Sequence, residues 1–180
     1  NYKIKLGDQI SVEIPPDETF EILPEKIELD IIYEDADIIV VNKPKGMVVH
    51  PAAGNLTGTL VNALINHCGD SLSDINGDVR PGIVHRLDKD TTGILVAAKN
   101  NSSHKKLIQL FKSNEIVRVY VALVNGVIKE EKATVDAPIG RHPTNRKKMS
   151  VNTENGKRAI THFTVTKRSK DATLVDLRLE

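Results

Sequence analysis

The chain has 180 residues, 39% hydrophobic and 27% charged, which suits one globular domain with a small appendage. Three Tyr, three Phe and no Trp leave an aliphatic core of Val, Ile and Leu, and the single cysteine, Cys68, excludes an internal disulfide and points to a reducing, cytoplasmic setting. No apolar run approaches the ~20 residues of a membrane span, and the net charge of +1 hides an asymmetry: residues 1–40 hold eleven acidic and three basic side chains, residues 41–180 thirteen acidic and twenty-two basic, as a protein meeting a polyanion on one face would.

In chain order, KIKLGDQISVEIP reads as a hairpin turning at Gly7-Asp8 and ending at Pro15-Pro16, followed by an acidic, proline-punctuated linker. LDIIYEDADIIVVNKP reads as two short strands around EDAD. TLVNALINHC predicts a helix over 59–68, with Leu60, Ala63 and Leu64 on one face and Thr57 or Thr59 at its cap. Strands are predicted at 82–87 and 93–99. NSSHKKLIQLFKSN predicts a helix capped by Ser102 or Ser103, with Leu107, Ile108 and Phe111 on one face. EIVRVYVALVNG predicts a strand whose apolar face, Val117, Val119, Val121 and Leu123, belongs in the core. IGRHPTNRKKMSV reads as a basic loop, and further strands are predicted at 132–138, 158–167 and 172–179. Few helices and no regular crossovers make the fold α+β, with a mixed, mostly antiparallel sheet and a few flanking helices.

The candidate site is GIVHRLDKDTTGILVAAK. Alternation along 82–88 sends Ile83, His85 and Leu87 one way and Val84, Arg86 and Asp88 the other. A carboxylate held rigidly at a strand end beside a cation is in the state a nucleophile needs. Asp90, ahead of Thr91-Thr92-Gly93, reads as an Asx-type turn residue. His85, on the apolar face, reads as a hydrogen-bonded inner histidine that supports the site. Tyr120 and Arg118 lie on the less apolar face of their strand, where a tyrosine either stacks on a base and moves a proton or simply packs. Arg141, His142, Arg146, Lys147, Lys148 and Arg158 form a proline-stiffened basic region suited to phosphate contacts. The six histidines are scattered, no metal-ligand spacing is visible, and neither GxxxxGK[ST] nor GxGxxG occurs, so no metal and no nucleotide cofactor are expected.

RPGIVHRLDKDTTGILVAAK resembles the central motif of the RluA/RluD-type ribosomal pseudouridine synthases. LDIIYEDADIIVVNKPKGMVVHP is similar to the opening of that catalytic domain and VRVYVALVNG to its tyrosine motif. DAPIGRHPTNRKKMSV with GKRAITHFTV resembles the RluD-like branch, and KIKLGDQISVEI resembles the last strands of an S4-type RNA-binding domain. The resemblance implies an S4-like tail and linker over 1–25 and a catalytic domain over 26–180. It implies Asp88 as nucleophile, Arg86 as the arginine that fills the place of a flipped-out nucleotide or pairs with the nucleophile, and Tyr120 against the target uracil. His85, Asp90 and Thr91 would support them. The expected substrate is large-subunit ribosomal RNA or a pre-ribosomal particle, bound by a monomer with no membrane and no cofactor; transfer RNA is the alternative within the family. The resemblance also implies a later segment carrying an arginine that pairs with the nucleophile, so residues 1–180 alone are expected to be inactive. Two other classes remain open: a non-catalytic RNA-binding module, and a carboxylate-dependent hydrolase using Asp88 and Asp90, which would need its carboxyls ~5–9 Å apart across one bond.

Overall fold

The computed structural model describes residues 3–13, 22–52, 54–75, 77, 80–113, 115–145, 147–152 and 154–180. In chain order these form β1 (Ile31–Glu34), β2 (Ile38–Lys43), α1 (Leu60–Cys68), β3 (Gly93–Ala98), α2 (Asn101–Lys112), β4 (Arg118–Asn125), β5 (Lys132–Asp136), β6 (Ile139–Arg141), β7 (Met149–Val151), β8 (Ile160–Arg168) and β9 (Ala172–Leu179). Every ladder between these strands is antiparallel. The expected α+β class holds, with the strands in three separate sheets. The chain divides into two compact units, Asn1–Leu107 and Ile108–Glu180.

In the first unit β2 lies between β1 and β3, in register from Ile38↔Ala98 to Lys43↔Gly93. Its alternate residues Ile39, Val41 and Lys43 are buried. Ile39 and Val41 join Leu95, Ala97 and the α1 residues Leu60, Val61, Ala63 and Leu64 as the buried core; each large aliphatic side chain removed from water contributes about 2 kcal/mol. Thr59 caps α1 as expected, in a reciprocal box in which Asn62 stands where Glu or Gln is usual. Asn62 also donates from Nδ2 to the Leu23 carbonyl at 2.8 Å, and the Glu25 carboxylate accepts from the Gly58 amide at 2.8 Å. Residues 23–25 of the expected linker are therefore tied to the start of α1.

Four local expectations are corrected. Over 3–13 only the turn forms: Asp8 N–H donates to the Lys5 carbonyl at 3.2 Å and its carboxylate accepts from the Lys5 amide at 2.7 Å. No strand pairing follows, and Ile4, Leu6, Ile10 and Val12 stay exposed. The Pro15-Pro16 end of that hairpin lies outside the described residues. The cap of α2 is Asn100, whose Oδ1 accepts from the Ser103 amide at 2.9 Å. Ser103 instead turns inward and donates to Asp37 at 2.8 Å, because Asn is at least as good a cap as Ser and stands first. The expected strand over 82–87 is a single bridge, Ile83↔Ala97. Where a ladder would continue, the Val96 amide donates to His85 Nε2 at 3.1 Å, so a side chain occupies the acceptor position of a backbone carbonyl. The basic segment is not wholly loop, since β6 and β7 pair on either side of 142–148.

The second unit holds a four-stranded sheet ordered β4-β9-β8-β5. Here the largest correction falls on β4. Val117, Val119, Val121 and Leu123 are 60–71% exposed, while Arg118, Tyr120, Ala122 and Val124 are half-buried. The half-buried set lies opposite Leu179, Leu177, Val175 and Thr173 of β9, of which Val175 and Thr173 are fully buried. Alternation decides which residues share a face; burial follows the face its neighbours cover.

Candidate active site

The run 82–91 is anchored before it reaches the charged residues. Gly82 donates to the Ser73 carbonyl at 2.7 Å and accepts from the Ala98 amide at 2.8 Å. It takes φ +71°, and a β-carbon there would lie 2.8 Å from the Ala98 carbonyl oxygen, so this close approach requires glycine. Ile83 and Leu87 are buried, His85 is half-buried on β3, and Arg86 and Asp88 are exposed. The alternation predicted for a strand thus survives in an irregular segment. Among the described residues no ion pair joins Arg86 to Asp88.

Asp88 opens a tight turn closed by the Thr91 amide on the Asp88 carbonyl at 3.1 Å. Asp90 sits within it, exposed, and Thr91 is half-buried. The closure runs through the backbone, and no side-chain bond from Asp90 to an amide is found among the described residues, so the Asx-type geometry expected of Asp90 is replaced by an ordinary backbone turn.

Two loops flank this turn. The Lys89 carbonyl accepts from the Gly46 amide at 2.8 Å, and Lys89 Nζ donates to Asn55 Oδ1 at 3.3 Å. Lys43, at 0% exposure, donates to the carbonyls of Pro44 (3.0 Å), Met47 (2.9 Å) and Lys89 (3.2 Å). Burial pushes its pKa below the ordinary lysine value, and the carboxylates of Asp90 and Asp88 oppose that fall. His50 is 6% exposed in the adjoining loop; burial, then the positive charges of Arg80 and Arg86, push its pKa down and keep the imidazole neutral. Sequence reasoning passed over Lys43 and His50. The signal for Lys43 was present: it occupies the inward phase of β2 after Ile39 and Val41, where an apolar residue belongs.

Tyr120 lies in the second unit, half-buried on β4 opposite Leu177. Arg141 ends β6, exposed, and His142, half-buried, begins the loop to β7. His142 Nδ1 accepts from the Thr144 and Asn145 amides at 3.3 and 3.2 Å, which folds the loop around the imidazole. Lys147 and Lys148 are exposed on that loop, and Arg146 lies outside the described residues. Arg158, also exposed, pairs with Glu180 at 3.3 Å. A shallow cavity lined by Arg141, His142, Pro143, Asn152 and Glu154 opens beside the β6–β7 hairpin.

The sequence of residues 37–180 matches the model of the RNA pseudouridylate synthase family. The chain belongs to that family. Among its relatives is an uncharacterized RNA pseudouridine synthase, YlyB, of Bacillus subtilis (strain 168), 54% identical over all of this chain and 59% of its own length. Another is the ribosomal large subunit pseudouridine synthase D of Zymomonas mobilis, 48% identical over 99% of this chain and 56% of that protein. The solved structure of human RNA pseudouridylate synthase domain containing 1 superposes with a TM-score of 0.68 at 25% identity, covering 84% of this chain and 59% of that one. The chain thus spans a little over half the length of the curated relatives it matches. The relatives named here are pseudouridine synthases, an isomerase class.

Proposed function

We propose that the whole protein isomerises uridine to pseudouridine in structured RNA, with large-subunit ribosomal RNA as its substrate, and that Asp88 is the nucleophile. The observation that carries the proposal is the placement of Asp88: an exposed carboxylate at the start of a turn whose backbone is held by Lys43 and Gly46 through the Lys89 carbonyl, inside the segment matched to the family. The relatives named as large-subunit enzymes support the choice of RNA.

The reaction breaks the C1′–N1 bond of uridine, rotates the uracil, forms C1′–C5, and exchanges the C5 proton for one taken up at N1. It transfers no net electrons, and the carboxylate is regenerated. Asp88 adds to C6 of the ring, attacks C1′, or takes the 2′ proton; each route needs one rigidly held carboxylate and a pocket that keeps water from turning isomerisation into base loss. A base inside folded RNA must leave its stack, at a cost of a few kcal/mol offset by stacking and backbone contacts. In this reading Arg86, exposed two residues before Asp88, fills the vacated place in the stack. Tyr120 packs on the uracil and moves the C5 proton. Arg141, His142, Lys147, Lys148 and Arg158, with Arg146, hold phosphates, so recognition is by shape and backbone. The segment 1–25 then serves as the end of an RNA-binding domain.

Tritium release from C5-labelled uridine in a large-subunit transcript tests the proposal, using the full-length protein, its Asp88→Asn variant and residues 1–180 alone. Release by the unmodified full-length protein only is expected. Undiminished release by Asp88→Asn removes Asp88 as nucleophile. Release from transfer RNA but not from the ribosomal transcript corrects the substrate. RNA binding without release from any RNA leaves the binding-module reading in its place.

A further inference from the structure

We infer that Glu34, His67 and Cys68 form a zinc-binding site on the first unit, none of whose residues belongs to the Asp88 turn. Glu34 ends β1, and His67 and Cys68 are the last two residues of α1. One ligand atom from each, a carboxylate oxygen, a ring nitrogen and the thiol sulfur, all lie within 4.8 Å of one another. Of these, His67 Nε2 and Glu34 Oε2 are 2.8 Å apart. Linear spacing hides the group, because Glu34 stands 33 positions before His67; the expectation of no metal rested on spacing alone.

The donors select the ion. Carboxylates alone suit calcium or magnesium; a thiolate beside an imidazole suits zinc, whose fourth position a water completes. Around a tetrahedral zinc the ligand atoms stand about 3.4–3.6 Å apart. The imidazole and carboxylate therefore open by roughly 0.6 Å to admit the ion in place of the proton they share, and no pair has to close by more than about 1.4 Å. Side-chain torsions supply movements of that size.

Three further features favour a cation at this place. Lys99 Nζ donates to Glu34 Oε1 at 2.7 Å and leaves Oε2 turned to the imidazole, the outer bond that fixes a ligating carboxylate. The site closes the C-terminal end of a nine-residue helix, where the carbonyls carry partial negative charge. The side chains of His67 and Glu34 are 39% and 27% exposed, and a cavity lined by Ile27, Leu29 and Ile31 reaches His67, so an ion has a way in. The Lys99 ammonium repels a cation, but Glu34 and the Cys68 thiolate, which gives its proton to solvent on binding, together balance a dication. The ion would staple a weak edge to the unit. β1 has four residues, all exposed, and pairs with β2 through a register shift between Ile31 and Tyr33; the metal fastens its last residue to α1.

The site is independent of the assignment of Asp88 and is tested without RNA. Untagged full-length protein, stripped of metal by a chelator, is titrated with cobalt(II) beside its Cys68→Ser and His67→Gln variants; cobalt reports sulfur ligation by a thiolate-to-metal charge-transfer band in the near ultraviolet. Differences between the unmodified protein and the variants cancel any metal held elsewhere in the full-length chain. The unmodified protein is expected to develop the band and to lose it when zinc displaces the cobalt. In Cys68→Ser this band is expected to vanish. In His67→Gln cobalt binding is expected to weaken by about a hundredfold or more, since an outer partner alone is worth 10–100-fold. Zinc is also expected to raise the urea midpoint of the unmodified protein and to leave that of Cys68→Ser in place, because an ion that binds only the folded state stabilises it. No band in the unmodified protein, an equal band in Cys68→Ser, or equal cobalt affinity in all three proteins overturns the site. Should Cys68→Ser not fold, His67→Gln decides by the same titration, as its exposed side chain is lost without cost to the core; an undiminished affinity there refutes the site.

Discussion

Replacing Gly82 by alanine tests whether the approach of the 82–88 run to β3 holds the first unit together. Two separate costs arise. At φ +71° an alanine pays about 1–2 kcal/mol for the left-handed backbone. Its β-carbon would also lie 2.8 Å from the Ala98 carbonyl oxygen and 3.0 Å from Leu72 Cδ2. The leucine can rotate away, but the carbonyl belongs to β3 and cannot. The run must shift, straining the two bonds of 2.7 and 2.8 Å that Gly82 makes to Ser73 and Ala98; overpacking of this kind costs about 1–3 kcal/mol. The sum is roughly 2–5 kcal/mol. Gly46→Ala isolates the first part, because Gly46 has φ +83° with nothing within 4 Å of its would-be β-carbon. Urea unfolding followed by circular dichroism, with both variants compared at a common slope, is expected to show Gly82→Ala the less stable by about 1–3 kcal/mol. If Gly46→Ala is as destabilised as Gly82→Ala, the close approach carries no energy and the reasoning fails.

Asn62→Ala strips partners from the Leu23 carbonyl and from the Thr59 amide and hydroxyl at a fully buried site; a loss of about 2–3 kcal/mol is expected by the same unfolding assay, and a loss below about 0.5 kcal/mol contradicts it. Glu34 accepts from Lys99 and from His67 at 2.7 and 2.8 Å, and those bonds, Lys99 first, hold its pKa below the ordinary value. A lowered carboxylate stabilises the fold above its unfolded pKa and loses that contribution as pH falls through the folded one. The gap between the unmodified protein and Glu34→Gln is accordingly expected to be about 0.5 kcal/mol near neutrality and to close in acid; a gap that widens in acid refutes the sign. Replacing Arg141, Lys147 and Lys148 together by alanine is expected to lower the slope of log binding constant against log salt by about 2, at roughly 0.7 per single-strand phosphate contact, with an unchanged slope removing the hairpin from the RNA interface.

Much of this fold was legible from local pattern. β2, β3, β9 and α1 follow from alternation, from helical spacing and from the Thr59 cap, because each depends on residues within one element. The charged run around Asp88 was legible for the same reason: its inward and outward residues keep the period of two even though no ladder forms. Where pattern misled, a nonlocal partner decided. The helix α2 is capped by Asn100 because that side chain and Asp37, far away in sequence, claim the Ser103 hydroxyl and amide between them. The run 82–87 is not a strand because an imidazole, eleven residues from the amide it accepts, took the place of a carbonyl.

Two decisions belong to tertiary structure alone. The apolar face of β4 is obvious from its sequence, but apolar composition says only which residues share a face; among the described residues the half-buried set is the one beside Leu177, Val175 and Thr173 of β9, and Val119, Val121 and Leu123 are exposed. Lys43 shows the converse. By itself the sequence placed a lysine at an inward position of β2, which looks like an error in a hydrophobic pattern. Only the fold brings the carbonyl of Lys89 within 3.2 Å of that ammonium, and a buried charge becomes tolerable once backbone dipoles replace the water it has lost.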